Sequence, residues 1–342
     1  MTKENIPQTM SLCVIALNEE AFLPALLENI RAQEYPHDLM EVVLVDSGSV
    51  DGTRKIMEDF RASEYGFSRV TVVDNPGKSQ PAGWNVAIAA SQGDVIARVD
   101  AHSVIPPEYS RILMEDLQAG EDVAGGKAAR ISCDESPWSR VLLEVENALF
   151  GCGISTSRLI CRKQYASSLS FPVYRRSVFE KVGLFNETLV RTEDNEIHYR
   201  MRRAGYRLLM DPRVKVSLYA RNSFPSMLRQ KHQNGYWIGR TSLVCPRCLS
   251  PWHFAPVVFV VAVIVSAMLA ICGVWQAAAL LWVAYGGVVF LSTMRCIISD
   301  GFFSFLQLLL PVLFLSLHSV YGVGTLHGIL DALRSGGKKE NQ

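Results

Sequence analysis

The chain has 342 residues, 49% of them apolar, with 34 Lys+Arg against 33 Asp+Glu and a formal net charge of +1. That length admits one large domain or a domain with an appended region, and the balanced charge gives no global basic field for nucleic acid. Eight cysteines show no framework spacing, and Cys245-Pro-Arg-Cys248 is a lone C-x-x-C, so free thiols are expected rather than a disulfide scaffold.

The first ten residues are polar and lack an apolar h-region, which predicts no signal peptide. Residues 11–17 (SLCVIAL) form a continuous apolar run, followed by Asn18-Glu19-Glu20 and a helical periodicity in Leu23, Leu26, Leu27 and Ile30. Residues 41–45 (EVVLV) repeat the pattern and end at Asp46-Ser-Gly-Ser, after which Asp51-Gly-Thr caps a second helix carrying Ile56 and Phe60. A third strand at 70–73 ends in Asp74-Asn-Pro-Gly, and a helix over 82–90 follows. Residues 94–99 make a fourth strand that runs out at Asp100-Ala-His102. Four apolar strands alternating with helices predict a parallel sheet covered on both faces, a doubly wound α/β architecture with right-handed crossovers.

Beyond Pro106 the pattern is mixed. It predicts a helix over 108–119, a strand over 123–131, a helix over 137–150 and a mobile Gly/Ser/Arg-rich loop over 151–164. A strand at 169–174 and a helix at 177–182 precede Thr192-Glu193-Asp194, which opens a helix over 195–203 closed by Gly205. Residues 208–210 and 214–218 return to strand.

From Phe254 to Met294 no charged residue occurs, and from Phe302 to Leu330 none except His. About 20 apolar residues span a bilayer core, so the first block accommodates two crossings joined near residues 274–276 and the second block one. Arg229, Lys231, Arg240 and Arg247 precede the first span, which places the N-terminal region on the cytoplasmic side of an inner membrane. Three crossings put Arg334, Lys338 and Lys339 on the far side, against that rule, so two to three spans are expected, with one segment interfacial or re-entrant as the alternative. The resulting division is an α/β domain at 1–222, an amphipathic interfacial segment at 223–253, a membrane region at 254–333 and a polar tail at 334–342.

In an open α/β sheet, ligands bind beyond the C-terminal ends of the strands. Asp100 and His102 flank a small alanine there and can both reach one divalent cation, Mg2+ or Mn2+ by donor type, which would neutralise a phosphate. The plainer alternative makes Asp100 a turn cap and His102 a surface residue. Asp46, Asp100 and Glu193-Asp194 stand at element ends, where each alone is explained as a cap. Together they suit a site that binds a nucleotide diphosphate and keeps one carboxylate for proton abstraction.

The succession Ala16-Leu-Asn-Glu-Glu20, Val45-Asp-Ser-Gly-Ser-Val-Asp-Gly-Thr53, Asn85-Val-Ala-Ile88 with Gly93-Asp94, Val99-Asp-Ala-His102 and Glu193-Asp-Asn-Glu-Ile-His-Tyr-Arg-Met-Arg-Arg-Ala-Gly-Tyr206 resembles an inverting family 2 glycosyltransferase. The resemblance covers about residues 9 to 220 and implies a GT-A fold, a doubly wound mixed sheet, followed by C-terminal transmembrane helices. The Asp-Ala-His variant and the trailing apolar segments resemble the succinoglycan-type exopolysaccharide enzymes more finely. It implies that Asp46 bonds the uracil of a UDP-linked nucleotide sugar and that Ala16, Asn18 and Glu19 line the nucleotide pocket. Lys78 would contact the base or diphosphate, Asp100 the ribose or metal, and His102 would be the metal ligand. Asp194 would be the general base, kept ionised by a helix N-terminus, with Glu193 positioning the acceptor. Where the family pattern has Asp, His102 stands here, which alters the charge around the metal.

The implied acceptor is a polyprenyl-diphosphate-linked glycan at the membrane, in exopolysaccharide or other surface-glycan synthesis. Transfer to a polyprenyl monophosphate is the near alternative. Gln233-Asn-Gly-Tyr-Trp237 resembles the Q-x-x-R-W motif of processive synthases, but Tyr236 replaces the arginine, which argues against a polymerase. The segment also reads as an interfacial helix with Tyr236 and Trp237 at headgroup level. A transporter is disfavoured because the apolar blocks hold no Asp, Glu, Lys or Arg. A non-catalytic binding module is the remaining class. The expected partners are a nucleotide sugar, a lipid-linked acceptor and membrane lipids.

Overall fold

The computed structural model describes residues 8–63, 65–132, 134, 136–148, 150–151, 161–220, 223–300 and 304–336. The chain divides into two compact units, Met1–Ala129 with Thr156–Leu218, and Arg130–Ser155 with Tyr219–Gln342. Most of the loop expected at 151–164 lies outside the described residues.

The first unit opens as the apolar periodicity requires, with β1 (Met10–Ala16), α1 (Leu23–Arg31), β2 (Met40–Asp46), α2 (Thr53–Ala62), β3 (Arg69–Asp74), α3 (Gln80–Ala90) and β4 (Val95–Asp100). These four strands are parallel, in the order β3-β2-β1-β4. Side chains alternate across the sheet. Leu12, Val14 and Leu44 face one core with α1 and α2, while Cys13, Val43 and Val45 face another with α3. The chain continues through β5 (Ser103–Val104), α4 (Tyr109–Gln118), β6 (Val123–Ile131), α5 (Pro137–Asn147), β7 (Gln164–Tyr165), β8 (Ser170–Arg175), α6 (Arg176–Val182), α7 (Glu193–Arg203) and β9 (Leu208–Tyr219).

Beyond β4 the sheet becomes mixed. β8 lies antiparallel between β4 and β6, and β9 pairs with β7 and β5. The two strands expected at 208–210 and 214–218 are one. Pro212, which has no N–H to give, falls between the short partners of β9, which pair at Leu209–Met210 and at Ser217–Leu218.

The second unit contains α5, α8 (Phe224–Val244), α9 (Ala255–Ile271), α10 (Trp275–Asp300) and α11 (Leu310–Gly336). Val141, Leu142 and Val145 of α5 bury against Met227, Leu310, Leu313, Phe314 and Leu317. This apolar face is why residues 137–147, read from sequence within the first domain, pack in the second unit. Three stretches are long and apolar enough to cross a membrane: Pro251–Ile271, Trp275–Ser299 and Phe305–Ser335. Segment 223–253, expected as an amphipathic interfacial segment, is mostly α8. Its buried face, Met227, Lys231, Gly235, Ile238 and Gly239, is a packing surface within the protein.

Candidate active site

The parallel register aligns the strand tips. Ala16 lies beside Asp46, Asp46 beside Asp74, and Ile15 beside Asp100. The two loops leaving β1 and β2 are laced together. The Asn18 N–H donates to Ser49 Oγ at 3.0 Å, Val50 N–H to Asn18 Oδ1 at 2.9 Å and Glu19 N–H to Thr53 Oγ1 at 2.7 Å. The buried Asp46 carboxylate accepts from Ser49 N–H at 3.0 Å, closing the turn it begins.

Asn18 and Lys78 both adopt positive φ, 56° and 52°, a conformation that disfavours side chains bearing a Cβ. Such strain persists where surrounding structure enforces it and collects at functional sites. Among the described residues three non-glycines have positive φ, Asn18, Lys78 and Phe171, and the first two are residues that the sequence had singled out. The Lys78 side chain reaches back over the β2 tip, with Nζ 3.9 Å from where a Cβ on Gly48 would sit. Asn75 braces this approach, its Nδ2 donating to Ser47 Oγ at 3.0 Å and to the Ser79 carbonyl at 2.9 Å.

Beyond the β4 tip, His102 Nδ1 lies 3.2 Å from Glu19 Oε1, joining the segments that follow β4 and β1. Among the described residues no group of three or more His, Cys, Asp or Glu is placed to hold a metal. Asp100 ends β4, and His102, the other residue expected at the cation, follows two positions on.

The N-terminus of α7 faces the same neighbourhood through Arg98, a residue that sequence patterning did not single out. Arg98 Nη2 donates to Glu193 Oε1 at 3.0 Å, and its guanidinium lies 4.7 Å from the Trp84 ring and 5.7 Å from that of Phe185. The charges of Glu193, Asp100 and Asp194 all bear on Arg98 and hold it protonated. Glu193 is buried at 2% exposure, and its carboxyl turns inward toward Arg98. Burial pushes that carboxyl up to about 8 against the pull of Arg98, and the neighbouring carboxylates Asp194 and Asp100 push the same way. Its second oxygen, Oε2, has no hydrogen-bond partner. Asp194 is half-buried, and its Oδ1 accepts from Asn195 N–H at 2.7 Å.

One turn on, His198 is fully buried between Ser168 Oγ at 2.9 Å and Tyr174 OH at 3.0 Å. Burial and the nearby Arg98 lower it to about 3, so it is neutral and structural. Arg98 could have been found as the one cation inside an otherwise apolar strand.

A family model, "Glycosyl transferase family 2", matches residues 11–183, a little over half of the chain. The chain belongs to glycosyl transferase family 2. Within that family, "Succinoglycan biosynthesis protein ExoA" of Rhizobium meliloti (strain 1021) is 30% identical over 302 residues, covering 84% of this chain and 89% of that protein. An "Undecaprenyl-phosphate 4-deoxy-4-formamido-L-arabinose transferase" of Aeromonas hydrophila is 35% identical over 117 residues, covering only 34% of this chain and 36% of that protein. The fold is GT-A-like. The mannosyltransferase PcManGT from Pyrobaculum calidifontis, solved in complex with GDP-Man and Mn2+, superposes with a TM-score of 0.63 at 17% identity, covering 94% of this chain and 88% of that one.

Gln233, Tyr236 and Trp237, the remaining residues singled out by sequence, lie on α8 in the second unit. Gln233 is exposed, Tyr236 OH donates to Asp331 Oδ2 at 2.6 Å, and Trp237 packs edge-on to Tyr236. Where a processive synthase motif has arginine, this chain has a tyrosine engaged with α11.

Proposed function

We propose that this family 2 glycosyltransferase is an inverting, metal-dependent enzyme. In this reading it moves a sugar from a nucleotide donor, UDP-linked, to a polyprenyl-diphosphate-linked glycan in surface-polysaccharide synthesis, on the cytoplasmic face of an inner membrane. The observation that supports the reading is Arg98, whose Nη2 donates to Glu193 Oε1 at 3.0 Å and which feels the charges of Asp100 and Asp194, so the carboxylates read as diphosphate-side and base-side act on one guanidinium.

In this reading Ala16, Asn18, Glu19 and Asp46 line the nucleotide pocket, and Lys78 offers its ammonium to the base or diphosphate. Asp100 and His102 would hold the cation, Mg2+ or Mn2+. Glu19, whose Oε1 lies 3.2 Å from His102 Nδ1, would fix the orientation of that ring. Bound there, a divalent cation would act as a Lewis acid on the departing diphosphate. Asp194 takes the proton of the acceptor hydroxyl as that oxygen attacks the anomeric carbon from the face opposite the diphosphate. Glu193 acts through Arg98 to fix the start of α7, and so the place of Asp194. The similarity to ExoA, over most of both chains, supports the exopolysaccharide setting.

The similarity to the undecaprenyl-phosphate transferase favours a second reading, transfer to a polyprenyl monophosphate. A phosphate acceptor needs no deprotonation, so one substitution separates the two. With a hydroxyl acceptor, Asp194→Asn is expected to lower kcat by about 10²–10⁴-fold, the usual worth of a general base. With a phosphate acceptor the loss is expected to be small. The full-length enzyme in detergent, given a panel of nucleotide sugars with each lipid acceptor, is scored by nucleotide release. EDTA should abolish release, and Mg2+ or Mn2+ should restore it. Release unaffected by both chelator and Asp194→Asn would refute the proposed chemistry.

A further inference from the structure

Residues 305–335 pass every length and composition test for a membrane span, yet their surroundings are unlike those of the other two candidates. Of the apolar stretch of α11, 39% is buried inside the protein, against 11% for each of the other two. Much of what buries it is chain that precedes the first apolar helix, joined by the start of α9, where Gly322 abuts the Pro256 carbonyl, and by Tyr285 of α10, whose OH lies 2.9 Å from His318 Nδ1. From one end to the other, Gln307 Nε2 donates to Glu144 Oε1 at 2.8 Å, Leu310, Leu313, Phe314 and Leu317 bury with α5 and Met227, and His318 Nε2 lies 2.6 Å from the Phe150 carbonyl. Further along, Gly324 abuts the backbone of His232, Gly328 that of Tyr236, and Asp331 pairs with Arg240. Both helices advance together through these contacts, so α8 and α11 run parallel.

The flanking segments are polar. α8 carries Arg229, Lys231, His232, Gln233, Asn234 and Arg240, and the buried Lys231 pairs with Glu146 at 3.2 Å. Were α11 to cross, it would draw these groups through the hydrocarbon, where one Arg or Lys at mid-depth costs about 2.5–3.5 kcal/mol on insertion scales. The opposite face of α11 is unpartnered and apolar. Val312, Val323, Leu330 and Leu333 are 50–59% exposed and share one side of the helix, and Leu308 continues the stripe at 60%.

The α9–α10 pair behaves differently. Phe259 stacks on Tyr285 at 4.4 Å, and the far half of the hairpin stands clear of α11 with Ile264, Met268, Ile271, Trp275, Leu280 and Val283 each 45–87% exposed.

We propose that only α9 and α10 cross the bilayer, as a hairpin, while α11 lies in the interface with its exposed apolar stripe against the acyl chains and its other face on α8 and α5. The occupant of the stripe is the membrane itself, continuous with the lipid-facing surface of the hairpin. Two crossings return the chain to the side of α8. Arg295, Arg334, Lys338 and Lys339 then share that side with Arg229 and Arg247, and the positive-inside pattern, which three crossings violate, is satisfied. This rests on the membrane reading of the apolar helices and is independent of the transfer chemistry.

The test is sidedness in the full chain. In a cysteine-free background, single cysteines are placed at Arg229→Cys and Ser335→Cys, with native Cys272 at the hairpin turn kept in a third variant, and labelled by an impermeant maleimide in intact bacterial cells and in inverted vesicles. Arg229→Cys and Ser335→Cys should label only in inverted vesicles and Cys272 only in intact cells. Fusions of green fluorescent protein and alkaline phosphatase to the C-terminus of the unaltered chain give the same parity without any cysteine change, fluorescence without phosphatase being expected. Labelling of Ser335→Cys from the Cys272 side, active phosphatase, or Cys272 labelled from the Arg229 side would each overturn the proposal. Nucleotide release measured on the same preparations reports whether the catalytic reading fails or stands separately.

Discussion

Arg98 shows how one side chain can tie a sheet to a catalytic helix. A guanidinium in a strand buried on both faces costs several kcal/mol to desolvate, and it persists because Glu193 and two aromatic faces surround it. Arg98→Met would leave the buried Glu193 carboxyl without its hydrogen-bond donor and is expected to cost about 1–3 kcal/mol, as an unsatisfied buried polar group does. Arg98→Lys keeps the charge but not the planar fork. It should fold, hold the donor KM within about twofold, and lose on the order of 10²-fold in kcat through a displaced Asp194. Melting curves and steady-state kinetics on the two variants check both statements. A purely structural Arg98 would move stability and leave kcat of the folded lysine variant intact. Asp46, Asp100 and Asp194 stood out in the sequence because the first two end apolar runs and the third opens a helix. Arg98 and the inward turn of Glu193 did not, since which of two adjacent carboxylates points inward depends on the phase of α7 relative to β4, and no single segment encodes that phase.

Strands and helices up to β4 were readable nearly to their ends, because a buried parallel strand leaves an uninterrupted apolar signal. Two features escaped that logic. Short strands such as β5 and β7 have two residues each and carry no periodicity of their own. The pairing of α8 with α11 is carried by absent side chains. Gly235 and Gly239 of one helix and Gly324 and Gly328 of the other oppose facing backbone, and a Cβ on any of them would overlap a facing carbonyl oxygen. Small residues four apart let helix backbones meet in this way, but hydropathy registers them only as weakly apolar positions. Gly235→Leu or Gly328→Leu should therefore separate the two helices, at a cost of at least about 1–3 kcal/mol for overpacking. The exposed-face control Val323→Leu should be neutral. Limited proteolysis between α8 and α9 in detergent micelles, with thermal melting alongside, reads the difference, and equal behaviour of all three variants would remove the crossing from the account.

At the scale of the whole molecule, buried ionisable groups set how folding responds to pH. Glu193 is raised from 4.5 to about 8, so between those values the folded chain holds a proton that the unfolded chain has released. Its contribution to stability is full below 4.5 and is lost as pH rises through about 8, with a slope that cannot exceed about 1.4 kcal/mol per pH unit. His198 is lowered from 6.5 to about 3, and its sign is the reverse. The unfolded chain takes up a proton that the folded chain refuses, so stability present above 6.5 drains away as pH falls toward 3. The two together predict a stability dome with both shoulders cut by named residues. Glu193→Gln keeps an uncharged hydrogen-bonding group beside Arg98 and removes the titration, so the alkaline shoulder should flatten while the acid shoulder stays. Melting temperatures of the full-length protein in one detergent from pH 4 to 9 decide this. An alkaline shoulder unchanged by Glu193→Gln would mean that Glu193 is already ionised beside Arg98 at neutral pH. The pair would then be a full salt bridge, and its pull on the start of α7 would be stronger than burial alone allows.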